Sequence, residues 1–356
     1  MNPLHELSDL GQAVWLDALR RSYLEDGGFL PTLIDSGEIQ GLTSNPTIFA
    51  KALSSDDSYA AQIAELAGTD AREAFWQLAT DDVRRACDLF LPLYEESGGA
   101  HGHVSIEIDP TKAFDTEETV SEGLLLFREL DRPNLMVKVP GTEPGLPATT
   151  RLLAEGVNVN VTLLFSVARY EAVAQAFIDG LQACAEAGGD ISRVASVASF
   201  FVSRVDGKVD ALLGAGHPLA GQAGIDNARL AYASFERIFR GDAFADLVSA
   251  GGRVQRPLWA STSTKDPSYR DTMYVEGLAG PDTVNTMPEA TLEATRDHAD
   301  VADRLSSSGE AAAQRLELLK DEGVDLQQIT KELESEGVET FVASFEEAVA
   351  TAGAQV

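Results

Sequence analysis

The chain has 356 residues, 44% of them hydrophobic, and a formal net charge of −30. The apolar content is that of a folded protein with a large core, not a disordered one. The acidity argues against nucleic acid and anionic membrane surfaces as partners, and it obliges any anionic substrate to find a local cluster of Arg or Lys. Cys87 and Cys184 form neither a CxxC nor a disulfide framework. No signal-peptide pattern and no apolar run of bilayer length is present, so a cytoplasmic protein is expected.

Residues 12–17 are a short apolar run ending in Asp17, which predicts a first strand. A helical pattern follows over 18–25 and breaks at Gly27-Gly28. Residues 39–45 predict a second strand stopped by Pro46, and Asn45 suits the cap of the helix that Pro46 begins. Helical periodicity runs from about 58 to 96. Residues 103–110 predict a third strand, with Val104, Ile106 and Ile108 on one face and Ser105, Glu107 and Asp109 on the other. A helix over 116–130 leads to the fourth strand.

That strand, residues 134–141, is an apolar run holding one lysine. Met136 and Lys138 share a face; Leu135, Val137 and Val139 share the other. A buried cation is costly unless paired or neutral. Lys138 is therefore either a cation snorkelling out at the strand end or an amine nucleophile able to form a Schiff base with a carbonyl.

A helix over 145–154 precedes the fifth strand, 157–164, which sets its valines and Leu163 on one face and Asn158, Asn160 and Thr162 on the other. A long helix over 166–187 follows. The sixth strand, 193–201, carries Ser199 and leads into Ser203-Arg204. A mostly helical stretch covers 227–250. The seventh strand is 256–261, with Lys265 just beyond, and a weaker eighth is expected at 271–276. From 288 onward the pattern is helical.

Short strands alternating with helices imply parallel βαβ units. Eight such units at this length predict an α/β fold, a closed (β/α)8 TIM barrel with additional terminal helices. Residues 1–356 read as a single domain, with 283–356 a mostly helical C-terminal segment packing on the barrel.

Barrel active sites collect at the C-terminal strand ends. Those ends supply Asp17, Asn45, Glu107, Lys138, Asn160, Thr162 and Ser199. Each alone has a structural explanation: a helix cap, a rim residue, a partner for buried backbone. Together they suit one ketone substrate, because each such side chain costs desolvation. A lysine attacks the carbonyl, and Glu107 with Thr162 handles the water released. Asp17 takes a hydroxyl proton and triggers carbon–carbon cleavage. Asn45 and Asn160 hold hydroxyls. Ser199, Arg204 and Lys265 offer donors and positive charge for a phosphate, the local basic cluster that the acidity requires. His101 and His103 form an HxH at the start of the third strand, away from this mouth. No HExxH, GxGxxG or Walker pattern occurs, and neither metal nor other cofactor is expected.

Gly41-Leu-Thr-Ser-Asn-Pro-Thr47, Met136-Val-Lys-Val-Pro140, Glu155-Gly-Val-Asn-Val-Asn-Val-Thr-Leu-Leu-Phe165 and Ala198-Ser-Phe-Phe-Val-Ser-Arg204 resemble the transaldolases in their longer bacterial form, from about residue 15 to 287. The resemblance implies a class I aldolase-type barrel with its Schiff-base lysine at Lys138. It implies transfer of a dihydroxyacetone unit from sedoheptulose 7-phosphate to glyceraldehyde 3-phosphate, in the pentose phosphate pathway. The acid/base aspartate then maps to Asp17, the water-activating glutamate to Glu107 and its supporting threonine to Thr162. The fragment-binding asparagines map to Asn45 and Asn160, and the phosphate-binding serine and arginine to Ser199 and Arg204. Well-known members carry a second phosphate arginine after the seventh strand. Here Ser261-Thr-Ser-Thr-Lys265 occupies that region, which makes Lys265 the candidate. The short fructose 6-phosphate aldolases use the same lysine but tend to have Gln at Glu107 and Tyr at Phe201. The alternatives are such an aldolase, or a catalytically silent sugar-phosphate-binding barrel. The expected partners are small-molecule sugar phosphates, and the chain is expected to be a monomer or homodimer.

Overall fold

Eight strands form the centre of the molecule: β1 (Gln12–Leu16), β2 (Gly41–Thr43), β3 (His103–Glu107), β4 (Leu135–Pro140), β5 (Val159–Leu164), β6 (Ser196–Phe201), β7 (Arg256–Ala260) and β8 (Thr283–Met287). They close into a barrel in sequence order, and every neighbouring pair is parallel. The structure is a computed structural model and describes residues 2–214 and 216–356. Parallel strands buried on both faces need apolar residues outward as well as inward. Val104, Ile106, Leu135, Val137, Val139, Val159 and Val161 accordingly point out into one large core shared with the surrounding helices. Trp15, Met136, Val197, Leu258 and Val284 fill the barrel interior. Each such side chain, fully withdrawn from water, contributes roughly 1.5–3 kcal/mol.

Register places the functional layer. Glu107 lies beside Lys138, and Lys138 beside Asn160, so three polar side chains stand at one height inside the barrel.

The expected (β/α)8 barrel is present, but its eighth strand is elsewhere. Residues 271–276 were expected to supply it and instead contain a short helix, Met273–Gly277. The strand that closes the barrel on β1 is Thr283–Met287, pairing Gln12 with Thr283 through to Leu16 with Met287. The threonines and asparagine of that run dilute its apolar signal, while barrel closure makes each of them buried. Other boundaries also moved. The stretch 18–25 holds only a 3-10 turn, Arg21–Leu24. The stretch 58–96 divides into Ala60–Glu65 and Ala71–Glu96, the latter capped by Asp70. The segment 227–250 divides into Ala223–Phe239 and Asp242–Ser249.

Leu163 departs from simple alternation. A register shift between Val161 and Leu164, with φ 61° at Leu163, turns this side chain away from the valine face. It joins the inner cluster with Phe165 and the C-terminal helix. That helix, Leu326–Gly353, is continuous through Gly337, where a Cβ would meet Leu163 Cδ2 at 3.0 Å. It packs on the helices Pro46–Ser55 and Ala71–Glu96. Phe345 sits edge-on against Phe75 at 5.2 Å, and Phe341 reaches the C-terminal mouth of the barrel.

Candidate active site

A cavity of about 290 Å³ opens at the C-terminal ends of the strands. Asp17, Asn45, Lys138, Thr162, Ser199, Arg204 and Lys265 line it. Glu107 and Asn160 lie directly beneath, joined to the lining by short contacts. All nine residues singled out in the sequence therefore converge on one place.

Lys138 stands on β4 with only 4% of its side chain exposed. Its Nζ lies 3.1 Å from Glu107 Oε2 and donates to the Ser44 carbonyl at 3.3 Å. The ring of Phe341 covers it at 5.6 Å. Among the described residues Glu107 has no other cation: neither carboxylate oxygen has a well-aligned hydrogen-bond donor, and the contact with Lys138 is one of charge and proximity. Burial consequently pushes the Glu107 carboxyl up to about 7, although the Lys138 charge opposes the rise. The hydroxyl of Thr162, two residues along β5 from Asn160, is likewise buried without a partner.

Asp17 follows the end of β1. Thr43 Oγ1 donates to its Oδ1 at 2.6 Å and lies 2.6 Å from Thr286 Oγ1. A hydroxyl has a single proton, so with Thr43 donating to Asp17 it is Thr286 that donates to Thr43. Desolvation raises the Asp17 pKa, against the pull of Lys138 and Thr43. Two carboxyl groups thus flank the lysine, both shifted toward the neutral form. Groups tuned in this way inside a cleft are what proton transfer near neutral pH requires.

Asn45 keeps the capping role: its Oδ1 accepts from Ile48 N at 3.0 Å. Its amide NH₂ has no partner among the described residues and faces the cavity. Asn160 is more committed. It donates to Ser105 Oγ at 3.0 Å and accepts from Ser199 Oγ at 2.7 Å, forming a polar floor below the cavity. Towards the rim, Arg204 stacks over Phe201 at 5.5 Å, and burial lowers its pKa. Lys265 donates to Ser263 Oγ at 2.8 Å. Ser203 and Ser261 hydroxyls meet at 2.8 Å.

Sequence reasoning missed Thr43, Thr286, Lys51 and Phe341, which also line the cavity. Thr43 and Thr286 were legible in principle, because both stand at strand ends like the residues that were found. Phe341 carried no local signal beyond its place on the buried face of a helix. His101 and His103 lie at the opposite end of the barrel. No helix among the described residues is long and apolar enough to cross a membrane.

Residues 14–352 match the family model described as Transaldolase/Fructose-6-phosphate aldolase. The chain is 51% identical to a protein of Saccharopolyspora erythraea named Transaldolase, over 99% of this chain and 97% of that one. It is 49% identical to a Mycobacterium marinum protein of the same name, over 100% and 98%. A Thermobifida fusca protein, also named Transaldolase, is 48% identical over 97% and 96%.

Proposed function

The chain belongs to the transaldolase/fructose-6-phosphate aldolase family as a transferase enzyme, and we propose that it moves a dihydroxyacetone unit from sedoheptulose 7-phosphate to glyceraldehyde 3-phosphate through a Schiff base on Lys138. The observation that carries this reading is the buried lysine with Glu107 3.1 Å away and Asp17 on the same cavity. The amine attacks the ketone once its proton has passed to a base, and Glu107 is the carboxylate in reach. The carbinolamine then loses water, protonated by Glu107 beside the Thr162 hydroxyl. Asp17 takes the proton of the substrate hydroxyl as the adjacent carbon–carbon bond breaks. The electron pair is held by the iminium, which becomes an enamine. The enamine attacks the acceptor aldehyde, Asp17 returns the proton to the new alkoxide, and water activated by Glu107 frees the product.

In this reading Asn45 and Asn160 address hydroxyls of the bound fragment. Arg204, Ser199 and Lys265 receive the phosphate, against the field of a chain with net charge −30. Glu107 and Phe201 both stand at the site, and these are the positions at which the resemblance separated the transferases from the free aldolases. The working protein would be cytoplasmic, a monomer or homodimer, with 1–356 as one barrel domain; of the segment 283–356, expected to pack on the barrel as a mostly helical piece, residues Thr283–Met287 are the barrel's own β8. The test is borohydride reduction in the presence of fructose 6-phosphate, followed by peptide mass spectrometry. A dihydroxyacetone adduct on Lys138, discharged by glyceraldehyde 3-phosphate, is expected. Absence of that adduct would sink the mechanism, and discharge to free dihydroxyacetone without an acceptor would favour the aldolase.

A further inference from the structure

The barrel has a second cavity, of about 330 Å³, at the N-terminal ends of its strands. Gln12 of β1, His103 of β3, and Arg256 of β7 line it, together with Arg253 just before β7. Arg253 Nη2 donates to Gly98 O, and Arg256 Nη2 to Ala100 O at 3.0 Å. A guanidinium has more N–H donors than these carbonyls use. Neither arginine has a carboxylate within 4.0 Å among the described residues, although the chain holds 57 acidic residues against 27 basic ones. Among the described residues, the arginines that are partly buried and yet lack such a partner are Arg204, Arg253 and Arg256. The first belongs to the rim where a substrate phosphate is expected. The other two are here.

Asp282 also lines this cavity, but its carboxylate is taken by Arg240 at 2.9 Å. Burial pulls the Arg256 guanidinium down to about 10; Asp282 opposes this, and the like charge of Arg253 adds to it. The walls hold further polar atoms with no partner. Both ring nitrogens of His103, a residue 1% exposed, are unpaired, and so is Oε1 of the fully buried Gln12. Gln12 Nε2 is fixed by Leu278 O at 2.7 Å and Thr283 Oγ1 at 2.9 Å, which holds that oxygen in place. Trp15 and Tyr94 pack the imidazole at 6.4 and 5.4 Å. Burial and the Arg256 charge hold His103 down at about 3, so the ring is neutral and offers one donor and one acceptor.

We propose that this cavity binds a phosphate monoester, with Arg253 and Arg256 gripping the phosphate and His103 and Gln12 meeting the hydroxyl-bearing remainder. Two guanidiniums that line one cavity and keep N–H donors to spare suit recognition of a phosphate. The acceptor atoms of Gln12 and His103 need a hydroxyl donor, which bare phosphate dianion lacks. The volume also exceeds what a bare phosphate would fill.

The experiment is calorimetric titration of the full chain with glycerol 1-phosphate and with inorganic phosphate, in an Arg204→Gln background that weakens the substrate rim. Saturable binding of glycerol 1-phosphate is expected to persist there and to weaken at least about tenfold when Arg253→Gln is added, as loss of charge-assisted hydrogen bonds implies. Arg253→Gln alone should leave turnover unchanged when no phosphate is added beyond substrate. Should that variant fold poorly, Arg253→Lys keeps the charge, loses the fork and should still weaken binding several-fold. No saturable binding in the Arg204→Gln chain, or binding indifferent to both changes at Arg253, would overturn the site. Inorganic phosphate binding as tightly as the ester would overturn the assignment to a monoester.

Discussion

Arg21–Asp82 and Lys138–Glu107 are both ion pairs taken out of water. Their side chains are 10% and 0% exposed in the first and 4% and 3% in the second. In the first the carboxylate is satisfied on both oxygens, although Arg21 Nη2 is left without a partner among the described residues. Arg21 Nε donates to Asp82 Oδ1 at 2.8 Å, the Tyr59 hydroxyl donates to Oδ2 at 2.6 Å, and the Tyr59 ring lies under the guanidinium at 4.4 Å. The second is left open. Neither oxygen of Glu107 has an aligned donor, and the hydroxyl of Thr162, which lines the cavity above, is also unpaired. Burial alone therefore does not mark a reactive group. What separates the two pairs is whether the hydrogen bonds that would fix the carboxylate are complete. A pair with its carboxylate fixed holds the 3-10 turn Arg21–Leu24 to the helix Ala71–Glu96. An incomplete one keeps an amine and a carboxyl near the point of exchanging a proton.

The largest effect should come from Lys138→Met. Turnover is expected to fall at least about 10⁴-fold, as for loss of a covalent nucleophile. Stability to denaturant should change by less than about 2 kcal/mol, because Glu107, already raised to about 7, takes up a proton rather than remain a lone buried charge. A larger loss in denaturant titration would place this pair with the structural one.

Arg21→Met should do the reverse. It leaves Asp82 buried and uncompensated, at a cost of about 3–5 kcal/mol in unfolding free energy. Turnover per folded chain should stay within about twofold, the range expected away from reacting atoms. A selective loss of turnover with stability intact would break the comparison.

The third contrast is in pH. A carboxyl whose folded pKa is raised favours the folded state while it is protonated in both states. That advantage is present below the ordinary glutamate value near 4.5 and is lost as pH rises to about 7. Glu107 should thus cost the wild type on the order of 3 kcal/mol between pH 4.5 and 7, with no further change above. Glu107→Gln should lack that slope. Denaturant midpoints of the two proteins across this window measure the difference, and parallel curves would refute the open state of the pair.

Much of the site was legible because it stands on strands. Strand parity sends Glu107, Lys138, Asn160 and Thr162 to one side, and the neighbours Ile106, Val137, Val139, Val159 and Val161 to the other. The closing strand was not legible. Thr283, Asn285 and Thr286 resemble a polar loop until β1 and β7 enclose them. Leu163 departs from strand parity because a bulge interrupts β5 there. Thr43 and Thr286 gain meaning only through each other and Asp17.

By itself the sequence determined what is local: which residues alternate, where Pro and Gly end the strands, and hence which side chains look inward. That follows from backbone chirality and sterics, which act between near neighbours. Tertiary structure alone decided the distances. Barrel closure brought Asp17, from the first strand, to the cavity of Lys138 from the fourth. Packing of the last helix laid Phe341 over an amine some two hundred residues earlier in the chain. Contacts of this kind depend on how every intervening element packs, so no window of sequence contains them.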